Sequence, residues 1–118
     1  MKIGELARRS GLSIHTLRYY EAIGLLPRAI RDGSGQRSYD PSILVWIEFL
    51  TRMKMAGMPI KEIILYANLL KRGSATAGQR RKLMEEQRER VRNRVAELQS
   101  CLDFIGKKIH NLIKLEKE

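Results

Sequence analysis

Thr16-Leu17-Arg18-Tyr19-Tyr20-Glu21-Ala22-Ile23-Gly24-Leu25-Leu26-Pro27, followed by the basic stretch Arg28 to Tyr39, decides how this chain folds. Upstream, Gly4-Glu5-Leu6-Ala7-Arg8-Arg9-Ser10-Gly11 reads as one short helix closed by a glycine, and Ser13 is placed to N-cap a second. Two short helices around a tight glycine-containing turn form a helix-turn-helix, here expected over about 4–11 and 13–23. With Ser13 as the cap, Ile14 and Leu17 share a face and dock on Leu6 and Ala7, while His15, Thr16, Arg18 and Tyr19 project elsewhere. Arg18 suits a phosphate or a guanine edge, Thr16 and Tyr19 suit phosphate oxygens, and the helix N-terminus favours an anion.

After Pro27, over 27–39, two short extended flanks surround Asp32-Gly33-Ser34-Gly35, which is hairpin chemistry. Arg28, Arg31 and Arg37 make this a basic ribbon, a wing beside the helix. A plainer reading exists for each part: adjacent helical tyrosines are more often packing residues, and an arginine-bearing glycine hairpin is usually a solvated turn. Tyr20 is accordingly expected to be partly core.

The chain of 118 residues carries 23 Lys and Arg against 13 Asp and Glu, a formal net charge of +10. One small domain plus an extension fits that length. The charge favours a polyanionic partner through phosphate neutralisation and counterion release. Nucleic acid is preferred to a membrane surface because the charge accompanies a helix-turn-helix. No apolar run is long enough to span a bilayer, and residues 1–5 contain no signal-peptide core, so the cytoplasm is the expected compartment. A single cysteine rules out an internal disulfide framework and a CxxC-type zinc site within one chain.

Further along, Asp40-Pro41 supplies an N-cap and an N1 proline for a helix over about 41–55, ended by Gly57, with Leu44, Ile47, Leu50 and Met53 facing inward and Trp46 and Phe49 broadening that face. A helix over about 60–72 is expected to bury Ile60, Ile63, Ile64, Ala67 and Leu70. Residues 1–73 thus form one expected domain and 76–118 a second. Thr76 and Gln79 have capping-box spacing for a long charged helix. Along it Val91, Val95, Leu98, Leu102, Ile105, Ile109 and Leu112 alternate steps of four and three, a coiled-coil seam. Arg81 and Arg88 stand at seam positions, so the first third is wetter. Nothing within one chain can bury such a seam, and a homodimer is the economical partner. Periodicity alone leaves parallel and antiparallel pairing open.

The fixed order of helix-turn-helix, Arg18-Tyr19-Tyr20-Glu21, Gly24-Leu25-Leu26-Pro27, and Gly35-Gln36-Arg37-Ser38-Tyr39 resembles the MerR family of bacterial transcription regulators. The resemblance implies an all-α fold with a small β wing: a winged helix-turn-helix domain followed by a long dimerisation helix that pairs antiparallel with its mate. It implies a dimer on double-stranded promoter DNA with a pseudo-palindromic operator, distorting an overlong spacer so that RNA polymerase meets both promoter elements. The DNA-binding set expected is His15, Thr16, Arg18, Tyr19, Tyr20, Arg28, Arg31, Arg37, Tyr39 and Lys54. Lys54 enters because Met53-Lys54-Met55-Ala56-Gly57 matches the family's motif near the third-to-fourth helix junction, although a solvated lysine is an equal reading.

The family's metal sensors carry cysteines at the start of the long helix and in a C-terminal loop. This chain has none there, and His15 and His110 build no cluster, so no metal and no cofactor are expected. Length and layout are closest to the aldehyde- or electrophile-responsive subgroup, a stress-response class, but Arg52 and Met53 stand where its third-helix thiol belongs. The remaining thiol, Cys101, precedes seam residue Leu102. An antiparallel coil over about 80–118 would bring it towards its counterpart, a redox-responsive arrangement. An inert interface thiol is preferred, since free Cys commonly behaves as a small buried hydrophobe. The competing function class is a non-specific architectural or nucleoid DNA-binding protein, which predicts sequence-indifferent, strongly salt-dependent binding. No catalytic constellation is visible, so an enzyme is set aside.

Overall fold

The computed structural model describes every residue except Arg28, and the wing role expected of Arg28 lies outside the described residues. In chain order the elements are α1 (Ile3–Ser10), α2 (Ile14–Ala22), β1 (Ile30–Arg31), β2 (Arg37–Ser38), α3 (Ile43–Met55), α4 (Ile60–Lys71), a short 3-10 turn (Ser74–Thr76) and α5 (Ala77–Glu116). They form two compact units, Met1–Arg80 and Arg81–Glu118. The mostly helical architecture with a two-stranded wing and a long C-terminal helix is the fold class expected from the sequence.

Local chemistry sets the first two helices. Gly11 takes a left-handed φ of 76° and its N–H returns to the Ala7 carbonyl, stopping α1 as only a residue without Cβ does cheaply. Ser13 then caps α2, its hydroxyl oxygen accepting the Thr16 N–H at 3.0 Å. The first unit closes over Leu6, Leu17, Leu25, Ile47, Leu50 and Ile63, all shut off from solvent. Removing this much apolar surface from water, at roughly 25 cal/mol per Å², is what holds such short helices together. Trp46, Phe49 and Tyr66 stack beside that core with centroids 4.8–6.2 Å apart, and the Trp46 indole N–H donates to the Leu25 carbonyl at 2.6 Å.

Several inward-facing expectations are corrected. Ile14 is 39% exposed, because it is the first residue of α2 and Leu17 and Tyr20 fill the interface instead. On α4, Ile60 and Leu70 stay open while Leu69 is buried. The reason is a reversal at Gly73, φ 82°, which lays the 3-10 turn against the last turn of α4. That reversal also redirects Thr76. Its buried hydroxyl donates to the carbonyls of Leu69 at 2.6 Å and Gly73 at 2.9 Å, so it fastens α4 instead of capping α5 in a box with Gln79. Arg80 Nε adds a bond to the same hydroxyl oxygen at 3.1 Å, at the end of the first unit.

In the second unit α5 continues through Gly106 to Glu116, a helix of 40 residues. Leu98, Leu102, Ile105, Ile109 and Leu112, all on the expected seam, are at least half exposed on the isolated chain. Salt bridges of the Arg92–Glu89 and Arg94–Glu97 kind decorate its other faces. Exposed pairs of this sort contribute only about 0.3–0.5 kcal/mol each.

Candidate nucleic-acid interface

The cationic excess belongs mainly to the first unit: residues 1–80 hold thirteen Lys and Arg against six Asp and Glu, and the rest of α5 holds ten against seven. Among these, α2 presents His15, Arg18 and Tyr19 to solvent, with Tyr19 at 50% exposure and Thr16 half-buried beneath the Ser13 cap. Arg18 and His15 make no hydrogen bond or ion pair with any described residue, so both are available to an external partner. The uncapped N–H groups of the first turn point the positive end of the helix dipole the same way.

The wing beside α2 is a two-stranded antiparallel ladder with Ile30 opposite Ser38 and Arg31 opposite Arg37. Asp32 organises its tip. One carboxylate oxygen accepts from the N–H groups of Ser34 and Gln36, each at 3.0 Å, and from the Ser34 hydroxyl at 2.7 Å, while the other pairs with the Lys2 ammonium. The Lys2 contact, followed by these hydrogen bonds, holds the Asp32 carboxyl well below the usual carboxylate range. Asp40, at the other end of the wing, is also lowered, by the Ser42 N–H that its carboxylate accepts at 2.8 Å. Arg31 and Arg37 are exposed, and Arg31 donates back to the Gly35 carbonyl at 2.8 Å.

Glu21 joins helix to wing, a role that no local signal in the sequence announces. Its carboxylate, 13% exposed, accepts the Ala29 N–H at 3.0 Å and the Tyr39 hydroxyl at 3.0 Å, with the Arg37 guanidinium 3.9 Å away. One side chain on the inner face of α2 thereby grips the start and the end of the hairpin. The Tyr39 backbone is held too, its N–H donating to the Met1 carbonyl at 2.7 Å and its carbonyl accepting from the Met1 amino group at 2.7 Å.

This geometry moves two residues of the expected set inward. Tyr39 is only 4% exposed, and burial, reinforced by Glu21, pushes its hydroxyl above its ordinary value. Tyr20 is 6% exposed, and its hydroxyl accepts from the Lys54 ammonium at 2.7 Å while that ammonium lies 4.9 Å from the ring centre. Both tyrosines face partners within the domain, because each aromatic body completes the core and only its polar tip reaches a charged neighbour. Lys54 remains exposed at the end of α3, brought beside α2 by that contact. Cys101 and the seam residues lie on the second unit, where Cys101 is exposed.

The sequence matches two family descriptions, MerR family regulatory protein over residues 2–39 and MerR, DNA binding over 44–117. It is 40% identical over 91 residues to the HTH-type transcriptional regulator AdhR of Bacillus subtilis (strain 168), covering 77% of this chain and 65% of that protein. The crystal structure of a MerR family transcriptional regulator from Listeria monocytogenes superposes with a TM-score of 0.88 at 39% identity, over 94% of this chain and 84% of the other. That of HiNmlR, a MerR family regulator lacking the sensor domain and bound to promoter DNA, gives 0.82 at 34% identity, over 92% and 86%. These likenesses favour sequence-specific regulation over non-specific DNA architecture. The chain belongs to the MerR family of sequence-specific, DNA-binding transcription regulators.

Proposed function

We propose that the protein acts as a homodimer whose two α2 helices read a pseudo-palindromic promoter and whose wings help to distort the spacer DNA. The observation that carries this reading is the Glu21 grip. Because one carboxylate fastens both ends of the hairpin to α2, groove contacts from His15, Thr16, Arg18 and Tyr19 and backbone contacts from Arg31, Arg37 and Lys54 come in a fixed register. A fixed register is what lets phosphate contacts do mechanical work on DNA, where a flexible arm would follow the duplex. Tyr20 and Tyr39 act in this scheme by positioning Lys54 and the wing.

Dimerisation follows from the open stripe of Leu98, Leu102, Ile105, Ile109 and Leu112. An antiparallel pairing of α5 places the two reading heads at opposite ends of the coil, related by a two-fold axis. Val91 and Val95 extend the same stripe, and Cys101, beside it, is an interface thiol with no redox role. RNA polymerase is the partner at the promoter, within the cytoplasm of a bacterial cell. That the relatives are transcription regulators supports a non-enzymatic role.

Transcription in vitro from the protein's own promoter tests the mechanism. Shortening the spacer towards the optimum for polymerase should raise basal transcription and abolish activation. A response indifferent to spacer length would sink the distortion mechanism. A promoter response to diamide that disappears in Cys101→Ser would overturn the inert reading of the thiol.

A further inference from the structure

Between the α2–wing connection, the base of the wing, and α3 and α4 lies a cavity of about 340 Å³, within the first unit. Leu25 lines it from the connection, Ile30 and Tyr39 from the wing, Trp46 from α3, and Leu70 and Lys71 from α4. Its size falls in the range of small-molecule sites, roughly 300–1,000 Å³, and its wall is mainly apolar with a few polar groups, the usual character of such sites. Two observations set the chemistry of a ligand. Leu70 is 43% exposed and Ile30 76% exposed, so apolar surface stands open here at little further cost to cover. Lys71 makes no hydrogen bond or ion pair with any described residue, whereas Asp40, the carboxylate of the lining, is already engaged by the Ser42 N–H at 2.8 Å.

We propose that this cavity is a regulatory site for a small amphiphilic carboxylate, its apolar body against Leu25, Trp46 and Leu70 and its carboxylate on Lys71. The site touches the wing at Ile30 and Tyr39, and Tyr39 is one of the two residues, with Ala29, through which Glu21 holds the wing to α2. A ligand that fits one wing position better than another shifts the wing, and by linkage changes operator affinity by the factor by which operator changes ligand affinity. This regulatory half rests on the promoter-binding reading above; the occupancy of the cavity does not.

The test uses the full chain, with octanoate as the probe and octanol as its uncharged match, each below its aggregation limit. Trp46, the single tryptophan, reports from the cavity wall. Octanoate should change its fluorescence saturably. Lys71→Gln should weaken octanoate about fivefold, as expected of a partly exposed ion pair, and leave octanol unchanged. Leu70→Glu, at a half-exposed position that folding tolerates, should weaken octanoate more than about tenfold by placing a like charge on the wall. Operator affinity is then measured with and without octanoate. Absence of a saturable change, or equal octanoate binding by wild type and both variants, overturns the site. Saturable binding with unchanged operator affinity overturns its regulatory role. A protein that binds octanoate but prefers its own promoter no more than random DNA defeats the promoter reading instead, with the occupied cavity left standing.

Discussion

Residues 1–80 and the remainder of α5 dispose of their apolar side chains in opposite ways. In the first unit, Leu6, Leu17, Ile47, Leu50 and Ile63 face one another from four short helices, Leu25 joins them from the α2–wing connection, and polar contacts such as Glu21–Tyr39 and Thr76–Leu69 stitch the periphery. In the second, a single helix carries Leu98, Leu102, Ile105, Ile109 and Leu112 in a line, each at least half exposed. Short helices are too weak alone and succeed by enclosing a core within one chain. A long helix with one apolar line cannot enclose anything and has to be completed by another copy. The stability of the first is therefore a property of the molecule, and that of the second a property of its concentration.

The largest expected effect breaks the second half of this comparison. Leu102→Asp puts a carboxylate in the middle of the seam, and in a dimer both copies carry it. Burying such charges without partners costs several kcal/mol, so the dimer dissociation constant should rise by more than about a thousandfold. Sedimentation should show monomer, far-ultraviolet dichroism should lose helix, and the Trp46 fluorescence of the first unit should keep its native value. A variant that stays dimeric at micromolar concentration would show that the seam is not the interface.

Leu50→Ala probes the first half. Leu50 is fully buried, so truncation should cost about 2–5 kcal/mol and lower the melting temperature of the Trp46-reported transition by roughly 10 °C or more. Unlike the seam variant, its effect on that transition should be independent of protein concentration. If the loss scales with dilution, the first unit depends on the dimer and the contrast fails.

Local signals made the first unit's outline legible, since a glycine at a left-handed position and a serine one step before a helix act within a few residues. Periodicity revealed the seam for a similar reason, one helix repeating one spacing. What stayed hidden depends on chain reversals. Leu69 is covered, and Leu70 is not, only because Gly73 turns the 3-10 segment back onto α4, and Thr76 looks like a helix cap until that reversal places carbonyls behind it. Glu21 was invisible as a wing anchor because its partners, Ala29 and Tyr39, lie eight and eighteen residues away.

Glu21→Gln gives a smaller effect and separates positioning from contact. The amide still accepts a hydrogen bond but loses its charge, so the fold should survive with a loss of about 1–2 kcal/mol. Operator affinity should fall while the slope of log K against log salt stays the same, because Glu21 neutralises no phosphate; Arg37→Ala should reduce that slope by about one. The Tyr39 hydroxyl should also titrate closer to its ordinary value in the variant. In the wild type its folded value is raised, so the contribution of the neutral hydroxyl is complete below about pH 10 and is lost as pH rises through the folded value. Alkaline absorbance titration of both proteins reads that difference.

The smallest effect is confined to the wing tip. Asp32 has its folded value lowered, first by Lys2 and then by the hydrogen bonds from Ser34 and Gln36, so the sign is opposite to that of Tyr39. Its contribution is complete above the unfolded value of about 3.9 and is lost as pH falls from there through the folded value. The amide resonances of Ser34 and Gln36 should accordingly hold their positions as pH falls past that point and shift only in stronger acid, while the helical signal of α5 follows its own course. Asp32→Asn should remove the Lys2 pairing and leave these two amides insensitive to acid. If instead the wild-type amides titrate with an ordinary carboxylate midpoint, Lys2 does not hold the tip, and the first unit's stitching ends at Glu21.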